Sequence, residues 1–146
     1  MKKKIEELSS ICLSRNFTLG ELVHSDAAEK LQLDNMPPLE AVVNLTLLAC
    51  CLLQPLRDHV RQAIRVNSGF RSAEVNRVVG GVKDSQHLTG MAADITLGSK
   101  QKNCQLWRDL KDGPWPFDQA ILERGGQWLH VSFNIQNNRR KAFGLG

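Results

Sequence analysis

The chain has 146 residues, 42% hydrophobic and 23% charged, the make-up of one ordinary globular domain whose core needs no disulfides. A net charge of +4 is modest, and five Phe, three Trp and no Tyr leave no basic face interleaved with aromatic residues, so a nucleic-acid partner is not expected. No stretch has the composition of a disordered linker, which excludes a second domain joined by one and leaves a single domain over 1–146, with 1–16 and 136–146 peripheral.

At the start, "MKKKIEELSS" has the positive residues of a signal peptide, but glutamates and serines follow where an apolar stretch is required, so synthesis and retention in the cytoplasm are expected. "MKKK" and the later "NNRRK" read as solvated ends. "FTLGELVHSDAAEKLQLDN" reads as an opening segment with a short helix capped near Ser25 or Asp26. Pro37-Pro38 marks a turn, with Pro38 suited to the first helical position. From Leu39 to about Val60 the pattern is apolar nearly all round, which predicts a central buried helix, kinked or interrupted by Pro55. Its longest apolar run, "LLACCLL" at 47–53, is too short to cross a bilayer, and no membrane partner is expected. Cys12, Cys50, Cys51 and Cys104 lack Cys-x-x-Cys spacing and read as buried free thiols.

"AIRVNSGF" predicts a strand entering a Ser-Gly turn, and "SAEVNRVVGG" a helix stopped by two glycines. "AADITL" predicts a strand, and "SKQKNCQLWRDLKDG" a helix capped by Ser99 and stopped at Gly113. In "FDQAILERGGQWLHVSFNI", Gly125-Gly126 predicts a two-residue hairpin with Arg124 opposite Gln127, Glu123 opposite Trp128 and Ile121 opposite His130. Alternation then puts Gln119, Ile121, Glu123, Trp128 and His130 on one face and Leu122, Leu129 and Val131 on the other. The second face is plain core. The first carries a carboxylate, an imidazole and an indole.

Two neutral imidazoles and one carboxylate suffice for a catalytic zinc, which leaves its fourth position open. His87, Asp94 and His130 would make such a set. Between the first two, Gly90 allows a backbone conformation closed to other residues, and Ala92 and Ala93 let the strand bearing Asp94 pass close to the loop bearing His87. A histidine and an aspartate at that spacing are not specific alone.

The motif Ser85-x-His87-x-x-Gly90-x-Ala92-x-Asp94, followed by Trp128-x-His130, resembles the signature of the zinc-dependent murein peptidases. These are the D-alanyl-D-alanine carboxypeptidases, the vancomycin-resistance D,D-dipeptidases and the phage L-alanyl-D-glutamate endopeptidases. "SGFRS" at 68–72 resembles the family's substrate-binding stretch, while "FTLGELVHSDAA", "LDNMPP", "FDQAILE" and "WLHVSF" resemble its short phage- and prophage-type members. The similarity runs from about Phe17 to Phe133.

The resemblance implies an α+β fold in which a small antiparallel sheet bears a zinc site and is backed by the buried helix, with short helices flanking. It implies one zinc per chain held by His87, Asp94 and His130, with Arg71 holding a substrate carboxylate through its planar fork of donors. Ser85 would bind substrate or orient a ligand, and Gln119 could contact substrate from the hairpin face. The sequence departs from the family at Gln127, where many members carry an acid, because an amide cannot accept a proton from water. Glu123, on the face of His130 and diagonal to it, is the candidate base; Asp118, on the opposite face, ranks behind. Trp128 reads as packing, and His24 and His59 receive no role.

The expected function is hydrolysis of a peptide bond in a peptidoglycan stem peptide by a monomer that reaches the wall through lysis or a phage export system. A zinc-binding but catalytically silent wall- or protein-binding module is the alternative, kept alive by Gln127. A phage structural or nucleic-acid protein with incidental histidines is a more distant one.

Overall fold

The computed structural model describes residues 6–146, so the lysine run at 2–4 lies outside the described residues. The chain opens with a two-stranded ribbon, β1 (Cys12–Ser14) against β2 (Phe17–Thr18), and two short helices, α1 (Leu19–Val23) and α2 (Asp26–Leu31). Each helix has a side-chain cap that meets an orphan amide. Thr18 and Glu21 form a reciprocal capping box, and the Ser25 hydroxyl accepts from Ala28 N.

The central helix is continuous from Leu39 to Val60, as α3 (Leu39–Leu48), a π-helical stretch (Ala49–Leu53) and α4 (Gln54–Val60). Pro55 explains the middle piece. It has no amide to donate and its ring crowds the preceding turn, and the wider turn absorbs both without breaking the helix. Pro38 sits one position outside the helix, as its N-cap residue. At 22 residues the helix has the length and hydropathy of a bilayer span, beyond what the run at 47–53 indicates alone. In this fold its Leu45, Leu48, Leu52, Leu53 and Leu56 are fully buried in the domain core. Truncating one of them to alanine would cost about 2–5 kcal/mol.

The remaining elements are β3 (Arg65–Ser68), α5 (Ala73–Val78), a 3₁₀ turn (Gln86–Thr89), β4 (Ala92–Thr96), α6 (Lys100–Asp112), β5 (Gln119–Glu123), β6 (Trp128–Ser132) and β7 (Lys141–Gly144). Ser99 caps α6 as expected. The main sheet runs β3-β4-β6-β5-β7 and is antiparallel except for β7, which lies parallel to β5. The sheet is therefore mixed, and the C-terminal stretch, expected to be peripheral, supplies its edge strand. Residues 141–144 are tied to β5, and Arg140 N and Lys141 N donate to Phe117 O and Asp118 O.

One sheet face presents Ala93, Ile95, Ala120, Leu129 and Val131 to a single buried cluster with the central helix and with Leu106 and Leu110 of α6. The other face is left for a cleft. The fully buried Asn103 on α6 fixes the hairpin end, accepting from Leu97 N and donating to Gly126 O and Gln127 O. The hairpin register is the predicted one from Ile121–His130 to Glu123–Trp128. The loop is longer than predicted, because Arg124, Gly125 and Gly126 all have positive φ and Gln127 N bonds Glu123 O, so Arg124 and Gln127 do not pair. The four cysteines are free, but Cys12 and Cys50 are exposed and the other two only partly buried, which corrects the buried reading.

A candidate metal centre in a polar cleft

The registers place Ser68, Asp94, His130, Ile121 and Phe143 in one row across the sheet. Because side chains alternate, all five belong to the face turned away from the core cluster. Glu123 lies two residues along β5 from Ile121, diagonal to His130 as the sequence predicts.

His87 arrives from the 3₁₀ turn. Ser85 starts that turn by accepting from His87 N, and Gly90 ends it with φ +79. A Cβ on Gly90 would meet Ala41 O at 2.5 Å, so glycine also lets the turn rest on the central helix. Ala92 and Ala93 are fully buried beneath it. The loop 68–72 is bonded to the same turn, with Arg71 N donating to His87 O at 3.0 Å. The buried Asn35 holds this loop from the other side, donating to Phe70 O and accepting from Ser72 N. That gives the "LDNMPP" segment a structural task, which sequence reading had seen only as a turn.

The three expected ligand groups converge. His87 Nε2 lies 3.3 Å and His130 Nδ1 3.2 Å from Asp94 Oδ1, and the two rings meet edge to face. The ligand atoms of all three lie within 4.8 Å of one another. His87 Nδ1 contacts Gly69 O at 2.7 Å, a bond that assigns the proton to Nδ1 and turns the Nε2 lone pair toward the centre. Burial alone would raise the Asp94 carboxyl, but its bonds with the His130 and His87 rings outweigh burial and hold it well below the usual carboxylate range. Two imidazoles and an ionised carboxylate on one spot fit a zinc ion with one position left open. Asp94 Oδ2 is occupied separately, by Arg71 Nη2 at 3.1 Å, and Arg71 is braced further by Ser68 and Asn76.

A cavity of about 570 Å³ surrounds this centre. Arg71, Ser85, His87, Asp94, Gln119, Glu123 and His130, the seven residues singled out from sequence, all line it. Trp128 lines it too and lies under the Arg124 guanidinium, so it faces the cleft as well as packing. Gln127 is exposed and is not among the lining residues. Asp118 is buried and occupied by Arg139 and Gln86, which removes it as a base. His24 pairs with Asp26 and Glu29, and His59 with Asp109, both away from the cleft. Sequence reading missed Arg139, Phe143 and Leu145, which also line the cavity. The one signal for them was the return of apolar residues, "AFGL", after the basic run.

No curated protein matches the chain. The family model described as Peptidase M15 matches residues 15–132, from before β2 to the end of β6, and so includes both histidines and the aspartate of the centre. The chain therefore belongs to the peptidase M15 family, whose members are zinc-dependent metallopeptidases.

Proposed function

We propose that this protein hydrolyses a peptide bond in the stem peptide of bacterial peptidoglycan, with His87, Asp94 and His130 as zinc ligands and Glu123 as general base. The observation that carries the reading is the convergence of the three donors at one point of a cleft that Glu123 and Arg71 also line. Bound zinc would polarise the scissile carbonyl and lower the pKa of water for attack. Glu123 accepts the attacking water's proton and returns it to the leaving amine. Arg71, held in plane by Ser68, Asn76 and Asp94, keeps a second N–H on each Nη and offers them to a substrate carboxylate. Ser85, whose oxygen already accepts from His87 N, first of all shapes the ligand turn, and its hydroxyl proton remains for substrate. Gln119 would hydrogen-bond the peptide from β5.

The test is zinc content together with digestion of purified peptidoglycan, the new termini being identified by mass. About one zinc per chain and one defined bond cut, with Glu123→Gln keeping the zinc and losing the cut, supports the proposal. Zinc without cleavage by the unaltered protein would favour a silent zinc-binding module, the reading that Gln127 outside the cleft keeps in play.

A further inference from the structure

Arg139 comes from the basic run that reads in sequence as a solvated end. Its Nε donates to Asp118 Oδ1 at 2.8 Å, its Nη2 to Oδ2 at 2.7 Å and its backbone N to Oδ1 at 3.0 Å. Asp118 is 1% exposed and also accepts from Gln86 Nε2, on the turn that carries His87. An arginine paired to a surface carboxylate keeps little fixed geometry, because water competes for both groups. Here the carboxylate is inside the protein, so the guanidinium plane is fixed while 42% of the side chain stays open. Its Nη1 has no protein partner among the described residues and Arg139 lines the cavity.

The placement is opposite to that of Arg71. In the order β3-β4-β6-β5-β7, Arg71 bonds Ser68 on β3 and Asp94 on β4, whereas Arg139 bonds Asp118, just before β5, and itself leads into β7. His130 and Asp94, on β6 and β4, lie between them. Along β5 and β7 the cavity wall is apolar, formed by Ile121, Phe143 and, at the hairpin end, Leu145, while Asp84 and Glu123 add negative charge to the lining. A cleft with a fixed guanidinium at each end suits a peptide with two separated carboxylates.

We propose that Arg139 is a specificity-determining residue that binds a second substrate carboxylate, on the far side of the metal centre from the one held by Arg71. The proposal rests on the peptidase reading above. Its ligand class is a short peptide with two separated free carboxylates, and Asp118 is the residue that positions the guanidinium.

The test uses the zinc-loaded full chain and synthetic Ala-γ-D-Glu-Lys-D-Ala-D-Ala peptides, with the glutamate α-carboxylate or the C-terminal carboxylate each free or amidated. For the unaltered protein, amidation at either position should raise KM about 10-fold or more, as expected for losing a charged hydrogen bond. Arg139→Gln should abolish that discrimination at one carboxylate and keep it at the other, with kcat for the amidated peptide little changed. Because this variant leaves Asp118 buried and unpaired, the neutral double variant D118N/R139Q is measured beside it and should show the same selective loss. Arg139→Lys should recover part of the discrimination. Both glutamine variants keeping discrimination at both carboxylates, or losing kcat equally on all peptides, would overturn the proposal and leave Arg139 a structural residue. An unaltered protein that holds zinc but cleaves none of the peptides overturns the peptidase reading, and this subsite with it.

Discussion

The cleft contains two arginine–carboxylate pairs built in opposite senses. In Arg71–Asp94 both side chains are nearly buried, at 14% and 13% exposure, and the carboxylate is shared with two imidazoles. In Arg139–Asp118 the arginine is 42% exposed and the carboxylate 1%, and no histidine touches it. The first pair is organised around its acid, with Arg71 holding Oδ2 so that Oδ1 faces the metal centre. The second is organised around its base, with Asp118 anchoring a guanidinium. The same two residue types thus present a carboxylate to the candidate metal centre in one case and a guanidinium to the cleft in the other, and what distinguishes them is that both partners are buried in the first and only the acid in the second.

Equivalent substitutions in the two pairs should sharpen that contrast. Asp94→Asn removes the only negative donor of the centre, so zinc content should fall from about one per chain toward none and hydrolysis by roughly 10³-fold or more, while Asp118→Asn should retain its zinc. Elemental analysis of both variants decides it, and equal zinc loss would mean the pairs are not functionally distinct. Glu123→Gln should come next, lowering kcat by about 10²–10⁴-fold with zinc unchanged, as measured on a muropeptide. Arg71→Lys should be milder, raising KM about 10-fold with a smaller change in kcat, because lysine keeps the charge and loses the fork. A kcat loss at constant KM would instead assign Arg71 to the reacting centre.

The ligand set around the first pair was legible in the sequence with the help of the family resemblance, whereas the Arg71–Asp94 contact and the whole of the second pair were not, for a physical reason. His87, Gly90, Ala92 and Asp94 lie within one turn and strand, and the position of His130 follows from strict alternation along a hairpin whose register is set by its glycines. Local rules bring these residues near one another, and the resemblance marks them as ligands. Arg139 and Asp118 are separated by a hairpin, and Asp118 sits just before β5, where alternation assigns it to the core face and says nothing of a partner. The run "NNRRK" is polar enough to read as a solvated end, and only the parallel pairing of β7 with β5 turns it toward the cleft. The same limit applies to Asn35 and Asn103, whose buried amides tie distant loops together and look in sequence like ordinary turn and helix residues. The helix over 39–60 was legible from its hydrophobicity, whereas the sequence left open whether Pro55 would kink or interrupt it, and the π-helical stretch does neither.

The smallest predicted effect concerns stability and isolates the second pair. The Arg139 guanidinium, through its hydrogen bonds and against the opposing effect of burial, lowers the Asp118 carboxyl to about 2. An unfolded aspartate titrates near about 3.9, so the folded state binds this proton less readily than the unfolded state. The pair's contribution is therefore fully present above the unfolded value and is lost as pH falls from about 4 through about 2. Asp118→Asn cannot titrate there. In metal-free protein, the difference in urea midpoint between the unaltered chain and Asp118→Asn should be constant above about pH 5 and should shrink as the pH is lowered toward 2. Asp94 is also depressed, but it is present in both proteins and cancels in the difference. Should the difference stay flat down to pH 2, Asp118 does not anchor Arg139 as a carboxylate, and the contrast between the two pairs would rest on position alone.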